Sequence, residues 1–134
     1  MNRIGYVLLT FAAVYLVLGI ALGIAMGVAH DFRLAPLHAH INLVGWVTHG
    51  LMGLAFIAWP QLATCRTAPF QVWIFGLSAP VFMVGLVFAL LREQPLIAII
   101  GSFGVFTGVV MFALLAMRAL RSSQESVATR APAE

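Results

Sequence analysis

Four long, mostly apolar runs, at about 4–29, 38–59, 70–91 and 95–119, take up most of this 134-residue chain. A helix that crosses the hydrocarbon core of a bilayer needs about 20 such residues. In lipid, every backbone amide must also find its partner within the same segment or a closed barrel. The expected fold class is therefore all-α: an integral membrane four-helix bundle embedded in lipid. A water-soluble domain is excluded on the same ground. The chain is 63% hydrophobic and 8% charged, and a domain this small has too much surface to hide that much apolar area.

The breaks between the runs read "HDFRLAP", "PQLATCRTAP" and "REQP". Each joins proline to charged or polar residues, as helix ends do. One four-span domain is expected over 1–121, with 122–134 as a polar, alanine-rich, flexible tail. The first run is far longer than the roughly 7–15-residue core of a signal peptide, so it reads as a retained helix. Arg3, Arg66, Arg118 and Arg121 lie on one side if both termini are cytoplasmic, leaving Arg33 and Arg92 outside. The positive-inside rule favours that orientation, in a bacterial inner membrane. The arginines are too scattered for a nucleic-acid patch, so no nucleic-acid partner is expected. The lone Cys65 excludes an internal disulfide and any multi-cysteine metal site.

Two glycine stripes, Gly19–Gly23–Gly27 in the first run and Gly104–Gly108 in the fourth, mark faces where helices approach closely. Intramolecular packing is the simpler use for them. Pro80 is expected to kink the third run.

The second run begins "APLHAHINLVGWVTHGLMG". At about 100° per residue, His38 and His40 point roughly 200° apart, so they cannot easily grip one ion but can serve two sites on opposite flanks. Asn42, Gly45, His49 and Met52 follow on the His38 side, within roughly 40° of it. Gly45 leaves a gap there that would suit a flat macrocycle. Leu43, Val47, Leu51 and Leu54 follow on the His40 side. Imidazoles inside a membrane are costly and mark function by default, although His38 and His40 would be unremarkable if they only met water at the headgroups. Zinc and copper want convergent ligands, whereas haem iron takes axial ligands from opposite faces of a ring. With no C-x-x-C-H for covalent attachment, a non-covalent haem b is the best match. Arg33 is the candidate partner for its propionates and His30 a weaker one. Trp46 by itself would be ordinary packing.

At "LHAHINLVGW", residues 37–46, the chain resembles the haem–copper oxidase subunit I superfamily. The nearest likeness is to its nitric-oxide-reductase side and to short oxidase subunit I-like membrane proteins with an HxHxNLxGW pattern. The large subunit of that superfamily has twelve helices in three arcs of four. The second helix of one arc carries an HxH pair that ligates two different haems on opposite sides. The resemblance implies that this chain is one such arc and that three copies form a homotrimer. A haem would lie between neighbours, held by His38 of one chain and His40 of the next, with Asn42, Gly45 and Trp46 around it.

The departures narrow the function. Tyr6 and Tyr15 both lie in the first run, and the acids Asp31, Glu93, Glu125 and Glu134 lie in breaks or the tail. The family's further copper histidines and proton-channel carboxylates have no counterparts, so proton-pumping oxygen reduction is not expected and no catalytic residue emerges. The leading expectation is a b-type cytochrome serving electron transfer, with an unidentified donor or acceptor. The alternatives are nitric oxide or oxygen chemistry at an open haem position, a histidine-lined metal or small-molecule transporter, and a purely structural tetraspan protein. His49 lies roughly 16 Å below His38. It is a candidate for a second metal site, copper or another, on a threefold axis, or for a hydrogen bond to a neighbouring helix.

Overall fold

The computed structural model describes residues 3–130, with side chains as far as 121. Helix α1 covers Arg3–Ala29. The second span starts as α2 (Ala35–His40), widens into a π-helical segment (Ile41–Thr48) and continues as α3 (His49–Ala58). A short helix α4 (Gln61–Thr64) leads to α5 (Ala68–Arg92) and α6 (Leu96–Arg130). Four segments, Arg3–Ala29, Ala35–Ala58, Ala68–Arg92 and Leu96–Arg121, are long and apolar enough to cross a membrane. At 24–27 residues, each reaches about 36–40 Å, beyond the roughly 30 Å of hydrocarbon.

The spans begin and end where local chemistry allows. Pro36 starts the second span, because a proline in the first turn gives up only an amide that would lack a helical partner anyway. His30 (φ 51°) and Glu93 (φ 56°) turn the chain through the left-handed region after α1 and α5. α5 runs through Pro80 without interruption. α6 continues as helix to Arg130, where a flexible tail was expected from Ser122; "SSQESVATR" carries no glycine or proline to end it. Residues 131–134 of that expected tail lie outside the described residues.

In lipid the hydrophobic effect does not drive helices together, so close backbone approach must do it. The glycines supply that approach within two antiparallel hairpins. In the first, α1 lies along the second span. A Cβ on Gly5 would come within 2.8 Å of the Gly53 carbonyl oxygen, and Gly19 and Gly23 face Asn42 and His38. In the second, Gly101 and Gly108 of α6 seat Phe82 and Phe75 of α5, and Gly104 seats Ser78. Gly27, the last of its stripe, faces open space. The hairpins meet over a core of Leu8, Met52, Phe56, Leu62, Phe75 and Leu115, into which His49 and Gln71 are also fully buried. The rest of the helical surface is strongly apolar, including Val17, Ile24, Leu43, Phe70, Ile100 and Phe103, as lipid contact requires.

Candidate functional site

The histidine pair lies in the first turns of the second span, and its rings do point to opposite flanks. His38 turns to α1: its Nδ1–H donates to the Gly19 carbonyl at 2.9 Å, and its Cε1 fills the space a Cβ on Gly23 would need. His40 turns to α5, where its ring meets Phe82 edge-on at 5.1 Å. Its Nδ1–H donates to the Pro36 carbonyl at 2.7 Å. A carbonyl oxygen can only accept, so in both rings Nδ1 carries the proton and Nε2 presents a lone pair. Tethering Nδ1 to a backbone carbonyl is how metal-binding imidazoles are commonly oriented.

The two lone pairs differ in their surroundings. His38 Nε2 lies 3.4 Å from the Asn42 amide nitrogen, which donates a shorter bond, 2.8 Å, to the His38 carbonyl. His40 Nε2 has no hydrogen-bond partner among the described residues, and its ring is half-exposed. Asn42 itself packs against Gly19. The gap at Gly45 is filled by Tyr15, whose Cγ would stand 2.6 Å from an added Cβ, so a phenol ring and not a macrocycle occupies it within the chain. Gly45→Ala should therefore push Tyr15 and α1 outward. The expected loss is about 1–3 kcal/mol of stability, read as an earlier thermal transition in detergent.

Trp46 is 41% exposed and faces away from the core. Arg33 is exposed and holds Asp31 by a 2.6 Å ion pair. The side-chain hydrogen bond from Arg33 is the main reason the Asp31 carboxyl is held down at about 2, and Asp31 in turn raises Arg33. What this exposed pair contributes is present at neutral pH and lost as pH falls toward that value, and it is small, as surface pairs are. Any anion reaching Arg33 must share it with Asp31.

The π-helical segment was not foreseen. In its wide turns, side chains bond carbonyls five residues back: Thr48 Oγ1–H donates to Leu43 O at 2.7 Å and His49 Nδ1–H to Val44 O at 3.0 Å. Such segments are rare and often lie at functional sites. His49 is enclosed by its own chain, between Tyr15 of α1 (5.3 Å between ring centroids) and Phe75 of α5 (4.6 Å). It lies away from any surface at which copies could meet, and its hydrogen bond stays within its own span. Gln71, which the sequence reading passed over, is fully buried beside Met52. Polarity one turn into an apolar run was the only available signal for it.

Among the described residues, no three His, Cys, Asp or Glu side chains gather to hold one ion. An apolar cleft of about 220 Å³ between Leu51 and Ala55 of the second span, Trp59 just past its end, and Phe112 and Ala116 of α6 lies at the far end from His38 and His40. Fold and site thus define a tetraspan α-helical integral membrane protein with two oriented imidazoles on opposite flanks of one helix. Comparison with family models, curated proteins and solved structures found no match.

Proposed function

We propose that this chain is a membrane b-type haem-binding subunit that passes electrons, with the haem held between neighbouring copies. The observation that carries the reading is the matched state of the two imidazoles: each Nδ1–H is tied to a backbone carbonyl, Gly19 or Pro36, and each Nε2 is an acceptor. His40 would hold such a group as it stands, with Nδ1–H tied to Pro36 and Nε2 without a hydrogen-bond partner among the described residues. His38 fits once the Asn42 amide leaves its Nε2, a side-chain rotation that also breaks the bond to the His38 carbonyl. One chain has only one such helix, so two ligands on one iron require a second copy, and a homotrimer of four-helix arcs satisfies this for every protomer. A haem held by His38 and His40 in this way would supply one-electron exchange.

In this reading Arg33 meets the propionates at the outer edge, both termini face the cytoplasm of a bacterial cell, and Trp46 lines the neighbouring surface. Absorption spectra of the purified protein, oxidised and reduced, test it together with the haem-to-chain ratio. A low-spin spectrum unmoved by carbon monoxide, at one haem per chain, is expected. A spectrum that shifts with carbon monoxide would favour gas chemistry at an open position. Colourless protein that takes up copper or zinc would favour transport.

A further inference from the structure

Among the described residues, two side-chain atoms are buried with no hydrogen-bond partner: His49 Nε2 and Gln71 Oε1. Both are acceptors. His49 Nδ1 must carry the ring proton because it faces the Val44 carbonyl, which leaves a lone pair on Nε2. Gln71 Nε2–H donates to the Gly108 carbonyl at 3.2 Å and lies 3.5 Å from Met52 Sδ. Flipping that amide would set oxygen against oxygen at Gly108, so Oε1 faces the other way. Two acceptors cannot satisfy each other, and an orphaned acceptor inside a bundle loses its water without a replacement.

The two residues are diagonal neighbours. The second span and α5 run antiparallel, His49 meets Phe75, and Met52, three residues on, meets Gln71, four residues before Phe75. The offset along the helix axes is therefore about 5 Å. Side chains set that far apart along the axes can both reach one small molecule between them, and a molecule with two hydrogens to donate would satisfy both acceptors. We propose that one water molecule is bound between them inside the membrane span, donating one hydrogen to His49 Nε2 and the other to Gln71 Oε1. A polar site with two aligned acceptors is the setting in which buried waters are retained.

Tyr15 of α1 is the titratable side chain facing the ring, while α5 and α6 present Phe75, Gln71 and Gly108. The site shares no residue with the haem reading, so either can fail alone.

Solid-state NMR of the full chain in lipid, with ¹⁵N-labelled histidine, tests this. The expected result at neutral pH is an unprotonated His49 Nε2 receiving magnetisation from an ordered, slowly exchanging water. In Gln71→Leu that transfer should vanish while the His38 and His40 signals stay. His49→Phe assigns the ring, and sequential correlations to Thr48 and Gly50 do so if that variant does not fold. No water contact in the wild type, or one that survives Gln71→Leu, overturns the proposal.

Discussion

Gly85→Ala is expected to lower the thermal stability of this protein far more than Gly104→Ala or Gly76→Ala. A Cβ at Gly85 would stand 2.5 Å from Ala98 Cα and 2.6 Å from Ile97 C. These are backbone atoms at the start of α6, just past the short turn after Arg92, and they cannot rotate aside. At Gly104 the obstacle is the Ser78 side chain, which can change rotamer, and at Gly76 there is nothing within reach. Overpacking a core costs about 1–3 kcal/mol when side chains absorb it, so a clash that must separate two helix backbones should cost at least the upper end of that range. Thermal unfolding in detergent reads it directly: an early transition for Gly85→Ala, a smaller shift for Gly104→Ala, and none for Gly76→Ala. Equal transitions for Gly85→Ala and the wild type would mean that the α5–α6 register is wrong.

The spans were legible because a membrane imposes one requirement, length of apolar helix, and the runs meet it with residues to spare. Their order was legible too, since breaks no longer than the ten residues of "PQLATCRTAP" force antiparallel neighbours. The opposed aim of His38 and His40 followed from helical geometry alone, and it holds, toward α1 and α5. The occupant of the space beside Gly45 could not be read this way. A missing side chain shows that something large approaches, but not whether it is a cofactor or Tyr15 from α1. The π-helical turns were equally hidden, because "INLVGWVT" has no composition that separates five-residue from four-residue hydrogen bonding. Gln71 was invisible for a third reason: a single polar residue near a span end is ordinary, and only the packing of α5 against α3 and α6 shows it to be buried.

His40→Gly should abolish haem retention, and His38→Gly should do the same. If each iron takes His38 from one copy and His40 from the next, every haem loses a ligand in either variant. Loss of partners one shell further out already weakens metal sites roughly 10–100-fold, so loss of a direct ligand should reduce the haem-to-chain ratio at least that far. The two variants differ in what else they break. His40 gives up one bond to Pro36 within its own helix and an edge contact with Phe82, so its fold should survive. His38 also gives up the Gly19 bond that ties the second span to α1, so part of its loss could come from a loosened hairpin. Added imidazole separates the two causes. It can enter the vacated space and restore a six-coordinate spectrum only where the missing group was a ligand, and it cannot rebuild a tether between helices. Rescue is therefore expected in both variants, and more complete at His40, whose ring is half-exposed and whose Nε2 has no hydrogen-bond partner among the described residues. His49→Ala should leave the haem spectrum nearly unchanged, since its ring is enclosed among Phe11, Tyr15 and Phe75. A full complement of six-coordinate haem in His38→Gly or His40→Gly, without imidazole, would rule out ligands shared between copies.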